Sequence, residues 1–287
     1  MIVIDNVADF DLDHIFDCGQ CFRWGKNSDG SYTGIARGMP PARLTFQPPG
    51  KLTMHNVTEP DFKRFWHGYL DLDRDYGKIK GRLSANDPKM AEIIGFGQGI
   101  RILRQDPWET LVTFIISQNN NIPRIKKCIE SLCDNFGKSA GEYGGREYFD
   151  FPEAEALAGL DPEDLAVCRL GYRAGYITDV TKSILKDGMD RLYSMRDAGA
   201  EEAYAYLTGL HGVGPKVANC ILLFSLGKFG SFPIDVRVKQ AMNRVYGIDR
   251  EDKRAMAEFA AANFGEYGGA AQQYLFYYIK NNTSERN

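Results

Sequence analysis

No stretch of the sequence approaches the roughly 18 consecutive apolar residues of a membrane-spanning helix, so no transmembrane segment is expected. The start, Met1-Ile2-Val3-Ile4-Asp5, lacks a basic region followed by an apolar run, so no secretory signal is expected either. No internal repeat is visible, which argues against a repeat architecture. Histidine is scarce, with only 4 in the chain. The 6 cysteines are scattered, and without an export signal they read as reduced thiols. Cys18-Gly19-Gln20-Cys21 has C-x-x-C spacing, but no second pair stands at ribbon-like spacing, so neither zinc nor redox use is expected there. Positive charge is not in excess. The net charge of −3 argues against binding nucleic acid by bulk charge. It leaves room for a local basic face, and Arg101, Arg104, Arg124, Lys126 and Lys127 stand against only Asp106, Glu109 and Glu130 in one segment. These absences point to a cytoplasmic monomer with no membrane partner.

What is present is a chain of 287 residues, 44% apolar, enough for a sizeable core in one large domain or two modest ones. Ser31–Ala36 and Ala42–Phe46 read as strands, with Asn27-Ser28-Asp29-Gly30 as a hairpin signal. Glu59–Tyr69 and Asp87–Phe96 look helical. From Asp106-Pro107 onward the pattern is almost wholly helical, with Leu111, Phe114 and Ile115 on one apolar face. Further helices are expected over Ile122–Phe136, from Asp161-Pro162-Glu163, and over Val236–Tyr246, Lys253–Phe264 and Gln272–Lys280. Gly137–Gly145, with 4 glycines, reads as a loop. The fold class is therefore α+β, an N-terminal sheet domain over residues 1–98 followed by a helical domain over 99–287.

Chemistry concentrates at Leu210-His211-Gly212-Val213-Gly214-Pro215-Lys216. Ala203–Leu207 reads as the end of one helix. Gly212 and Gly214 permit a tight reversal, and Pro215 suits the first position of a second, apolar helix. Free backbone N–H groups at such a hairpin and helix start make an anion site fit for phosphate. Lys216 falls in the first turn. Desolvation beside a helix N-terminus disfavours an ammonium, and a neutral amine is what attack on a carbon electrophile requires. Pro233-Ile234-Asp235-Val236 then supplies one carboxylate between apolar neighbours. Asp235 also suits a plain helix N-cap, and the two roles are compatible.

The hairpin, lysine and aspartate resemble the helix-hairpin-helix DNA glycosylase superfamily. Other segments narrow the likeness: Gly19-Gln20-Cys21-Phe22-Arg23-Trp24, Asp106-Pro107-Trp108-Glu109, Ser117-Gln118-Asn119-Asn120-Asn121-Ile122-Pro123-Arg124, Leu170-Gly171-Tyr172-Arg173 and Gln272-Gln273-Tyr274-Leu275-Phe276. In this order, from about residue 10 to 280, they are similar to the eukaryotic-type 8-oxoguanine DNA glycosylase/AP lyase family. The four-cysteine cluster of endonuclease III-like relatives is missing, which speaks against an iron–sulfur cofactor.

The resemblance implies a TATA-binding-protein-like N-terminal antiparallel sheet, and an enzyme acting on double-stranded DNA that contains oxidised guanine. In a bacterial or archaeal cell it would associate with the nucleoid. The lesion is flipped out of the duplex. Lys216 attacks the sugar, Asp235 steadies the developing cation, and the Schiff base permits a lyase step. For the base, the resemblance implies Gly19 at N7 through its carbonyl, Cys220 and Phe276 on its two faces, and Gln272 on its Watson–Crick edge. Taken alone, Phe276 reads equally as core, and Cys220 reads as an ordinary buried thiol. The resemblance further implies that Asn119 fills the gap, that Tyr172 wedges beside the estranged base, and that Arg124 and Arg173 read cytosine. Arg237, where relatives carry histidine, contacts phosphate, and Gly212 and Gly214 grip the backbone. His211 stands where proline is usual and Cys21 where serine is frequent. No cofactor is required; a structural cation on the hairpin carbonyls near Leu210 and Val213 is a further expectation. Two alternatives stay open: a glycosylase for another damaged base, and a non-catalytic DNA-binding helix-hairpin-helix module.

Overall fold

The computed structural model describes residues 1–282. Five short strands, β1 (Ile2–Ile4), β2 (Trp24–Lys26), β3 (Tyr32–Gly34), β4 (Ala42–Gln47) and β5 (Lys51–His55), make one antiparallel sheet in the order β1-β5-β4-β3-β2. Tyr32 pairs with Leu44, and Leu44 with Met54, so one face of the pleat carries a continuous apolar row. That row packs with Phe16, Trp24, Leu52 and Trp66, and Phe16 stacks on Trp24 at 4.4 Å between ring centroids. The two expected strands coincide with β3, which is shorter than expected, and with β4; β1, β2 and β5 were not read from the sequence. Glu59–Tyr69 is helical throughout, with a π-helical stretch at Phe62–Trp66.

From Pro107 the chain is mostly helical. Asp106 caps the Pro107–Ile116 helix by accepting from Glu109 N at 2.9 Å, with proline in the first turn. Asn121 caps Ile122–Phe136 in the same way, accepting from Arg124 N at 3.0 Å. The helices Arg173–Asp187, Ala200–Thr208 and Pro215–Phe224 complete a core around Leu111, Ile115, Ile177, Leu207 and Ile221. Val236–Tyr246 and Lys253–Asn263 follow, then Gly268–Asn282.

Three expectations are corrected. Gly137–Gly145 is not simply loop, because β6 (Ser139–Tyr143) and β7 (Arg146–Phe149) pair there as an antiparallel hairpin. Its turn, Gly144-Gly145, has φ of 64° and 78°, the doubly positive pair that suits a two-residue hairpin turn. Asp161-Pro162-Glu163 starts no α-helix. Asp164 closes a turn onto Asp161 N at 2.9 Å, and only a 3-10 turn, Ala166–Cys168, follows. The last helix begins at Gly268 rather than Gln272, because Gly268 and Gly269 lie against other chain segments where a Cβ would come within 2.7 Å of Gly230 O and 2.2 Å of Leu223 Cδ1. The helices Tyr76–Asn86 and Pro88–Phe96, on the sheet side of a division at residue 98, bury Ile79, Leu83 and Ile93 together with Val238, Met242 and Leu275.

Candidate active site

Lys216 lies one residue inside the Pro215–Phe224 helix, whose N-cap, Gly214, offers no side-chain cap and leaves the first-turn amides free. The lysine is half-buried. Its amino group donates to Ser117 Oγ at 3.3 Å and sits 5.0 Å from the centroid of the Phe114 ring, over its face. The Ser117 hydroxyl in turn donates to Phe114 O at 2.8 Å. Ser117, which terminates the Pro107 helix, therefore holds the amine, a role its sequence context does not reveal. Asp235 caps the Val236–Tyr246 helix, accepting from Val238 N at 2.8 Å. One turn along from Lys216, Cys220 is 2% exposed. Burial pushes its thiol up to about 11, opposed by the charge of Lys216 and reinforced by that of Asp235. The nucleophile candidate, the thiol and the carboxylate thus share one electrostatic neighbourhood.

The four residues expected around an extruded base come from three places, of which the Pro215–Phe224 helix supplies Cys220. The Gly268–Asn282 helix carries Gln272 and Phe276, both buried, and it packs along the Val236–Tyr246 helix that Asp235 begins. Gly19 comes from the N-terminal half, with φ of +79°. A Cβ at Gly19 would stand 2.9 Å from Cζ of Phe276, so the phenylalanine ring lies directly on the glycine backbone. Gln20, buried and unassigned in the sequence reading, pins this loop. Its amide donates to Ile15 O at 2.9 Å and Arg101 O at 2.8 Å, and its carbonyl accepts from Leu103 N at 2.8 Å. The Arg237 guanidinium lies 5.0 Å from the Phe276 centroid, and its Nη1 is buried without a hydrogen-bond partner. Arg237, half-buried, thus borders this slot. The Gln272 carbonyl accepts from Gln273 Nε2 at 2.9 Å.

A third group is exposed. Asn119 adopts φ of 47°, the left-handed region that asparagine tolerates better than most residues, and Tyr172 is 54% exposed. The Tyr172 hydroxyl donates to Gln118 O at 3.3 Å. Arg124 is exposed, with one weak contact from Nη2 to Arg169 O at 3.4 Å. Arg173 differs from what was expected of it. It is 4% exposed, its guanidinium faces Tyr172 at 4.5 Å, and it donates to Gln118 O, to Leu170 O at 3.1 Å and to Asn119 O at 2.9 Å. In this conformation Arg173 braces the loop that carries Asn119, spending most of its N–H donors on backbone carbonyls in a buried position.

The hairpin joins this group through Gln118, whose side-chain amide donates to Gly212 O at 2.9 Å. Gly212 has φ of +85°, and a Cβ there would lie 2.6 Å from Cγ of Tyr176. His211 pairs with Asp179 at 2.7 Å and packs edge-on to Tyr176. Leu210 O accepts from Val213 N at 3.1 Å and keeps its second lone pair. Ser117, Gln118 and Asn119 are consecutive: Ser117 touches the lysine, Gln118 touches both the hairpin and the Tyr172 hydroxyl, and Asn119 accepts from Arg173. Among the described residues, no group of three or more His, Cys, Asp or Glu side chains gathers as a metal site, and no helix is long and apolar enough to cross a membrane.

Residues 2–111 match the family described as 8-oxoguanine DNA glycosylase, N-terminal domain, and residues 112–265 match the HhH-GPD superfamily of base excision DNA repair proteins. An Arabidopsis thaliana relative, N-glycosylase/DNA lyase OGG1, is 33% identical over 91% of this chain and 75% of its own length. The 8-oxoguanine glycosylase/lyase of Clostridium acetobutylicum, solved with double-stranded DNA containing cytosine opposite 8-oxoG, superposes with a TM-score of 0.92. It is 41% identical, with 98% of this chain and 95% of that one covered. The structure of MBOgg1 with a low-affinity DNA ligand gives a TM-score of 0.93 at 44% identity, over 98% of this chain and 96% of that one.

Proposed function

We propose a substrate and a mechanism from one premise: this chain belongs to the HhH-GPD superfamily of base excision DNA repair proteins, and within it to the N-glycosylase/DNA lyases that carry the 8-oxoguanine DNA glycosylase N-terminal domain. The substrate of this reading is 8-oxoguanine in duplex DNA, preferably opposite cytosine. The observation that carries it is the half-buried Lys216 amine, held on Ser117 one helical turn from the buried, neutral thiol of Cys220, which feels the charges of both Lys216 and Asp235. The nitrogen lone pair of Lys216 attacks C1′ of the flipped nucleotide. The glycosidic bond breaks, and the base leaves with that electron pair and takes up a proton. Asp235 opposes the positive charge developing on the sugar. Ring opening gives the Schiff base. Loss of a C2′ proton then expels the 3′ phosphate by β-elimination, and water returns the amine.

Recognition in this reading follows the three groups. The base seats on the Gly19 backbone between Cys220 and Phe276, with Gln272 on its edge and Arg237 beside the slot. Gly212 and Gly214 hold a phosphate through free amides. Asn119 occupies the vacated place and Tyr172 wedges the stack. Arg124 presents donors to the acceptors of cytosine, with Arg173 as its second reader once freed from the carbonyls it now braces. A structural cation on the Leu210 and Val213 carbonyls would stiffen the hairpin outside the chemistry.

One experiment tests the reading. Duplexes carrying 8-oxoguanine opposite each of the four bases, uracil, an alkyladenine or an abasic site are incubated with the enzyme under borohydride. The expected result is a covalent adduct on 8-oxoguanine, strongest opposite cytosine, that disappears in Lys216→Ala. An adduct persisting in Lys216→Ala sinks the nucleophile, cleavage of the alkylated base alone would move the substrate, and equal cleavage opposite all four bases sinks the cytosine preference.

A further inference from the structure

One exposed cation plays no part in the mechanism above. Arg169 closes the Ala166–Cys168 turn in the left-handed region, at φ 54° and ψ 37°. A side chain with a Cβ is strained in that conformation. The residue is nevertheless pinned there, because its carbonyl accepts from Arg124 Nη2 at 3.4 Å and from Cys128 Sγ at 3.8 Å. Its guanidinium is exposed and makes no hydrogen bond or ion pair among the described residues. Its two arginine neighbours differ from it. Arg173 is buried and committed to backbone carbonyls, and Arg124 leans on Arg169 itself. Three residues beyond Arg169 stands Tyr172, 54% exposed. A strained backbone therefore presents a free guanidinium at the rim of the loop that carries the wedge.

We propose that Arg169 contacts a backbone phosphate of the undamaged strand, beside the base left unpaired by extrusion, and so holds that strand against Tyr172 and Arg124. Phosphate is favoured over a base edge because the group is exposed at the rim and free of any partner that would orient it for base reading. The inference rests on the assignment of Tyr172 and Arg124 to the estranged-base side.

Binding is measured on a duplex containing a 2′-fluorinated, cleavage-resistant 8-oxoguanine, over a range of salt. Arg169→Gly is expected to weaken affinity roughly three- to tenfold and to lower the salt slope by about 0.9. Its Tm stays equal or rises, because glycine relieves the left-handed strain. Arg169→Lys keeps most of the slope. Replacing undamaged-strand phosphates one at a time by neutral methylphosphonate then finds one position that weakens the wild type and leaves Arg169→Gly unaffected. Unchanged affinity and slope in Arg169→Gly overturn the proposal, as does equal sensitivity of both proteins at every phosphate. A lowered Tm in Arg169→Gly would assign the residue to the fold instead. Failure of the wild type to cleave 8-oxoguanine duplexes sinks the substrate reading alone, because the Arg169 effect is read in binding.

Discussion

At the scale of single residues, Ser117 separates placing the amine from gripping the DNA. It touches Lys216 and Phe114, whereas the hairpin contact is made by Gln118. Ser117→Ala is expected to slow single-turnover cleavage about tenfold, roughly 1.4 kcal/mol of lost positioning, while duplex affinity stays unchanged. A parallel fall in affinity would show that the serine acts through the fold. Lys216 and Asp235 stood out because their surroundings are local: a glycine turn, a proline and an apolar helix around Lys216, and Pro233 with apolar neighbours around Asp235. Ser117 was not, since its partner is 99 residues away in the chain. Arg173 and Arg237 fit the motif by type and spacing, yet one spends its donors on carbonyls and the other lies over Phe276. Residue type fixes what a guanidinium offers, and packing decides where that is used.

At the scale of elements, the hairpin is the most sharply constrained piece. Gly212 combines φ of +85° with a tyrosine ring where its Cβ would go, and its carbonyl takes the Gln118 amide. Gly212→Ala is expected to displace the turn, lower Tm by several degrees and weaken duplex binding at least tenfold; binding isotherms and a thermal melt check both. Helices with proline near an Asp or Asn cap, Pro107–Ile116 and Ile122–Phe136, were readable from those caps. Arg173–Asp187 was not, because its N-cap is Tyr172 and makes no side-chain cap hydrogen bond. The β6–β7 hairpin looked like loop because strands of 5 and 4 residues around glycines carry little pattern. The cap and proline of Asp161-Pro162 suggested a helix, but Asp164 closed the turn and the left-handed Arg169 ended it.

At the scale of the whole molecule, the joint between sheet and helices is ionic and mostly buried. Arg37 reaches Asp106 at 3.0 Å, Tyr193 and Glu153. Arg23 bonds Phe149 O, and its Nη1 stands 3.8 Å from Glu109 and 3.9 Å from Asp150. Burial lifts the Glu109 carboxyl to about 7 from an ordinary 4.5, opposed by Arg23 and reinforced by Asp106 and Asp150. Between those two values the folded protein holds a proton that the unfolded chain has released. The contribution of Glu109 to stability therefore falls as pH rises from 4.5 towards 7 and levels off above. Glu109→Gln escapes that loss. Its stability relative to wild type is expected to improve by about 1–3 kcal/mol between pH 5 and pH 8, measured by urea unfolding at each pH; a difference independent of pH removes Glu109 as the cause. None of this joint was visible in the sequence, because each pair spans tens to more than a hundred residues.

The same joint brings Gly19 to the last helix, where the Phe276 ring rests on it. On the reading proposed above, a base seated on that glycine first displaces the Phe276 ring edge that now lies there. Every candidate, damaged or normal, thus meets a shut door, and its apparent affinity is its intrinsic affinity scaled by the fraction of time the door stands ajar. Discrimination begins with who can afford to wait for it to open.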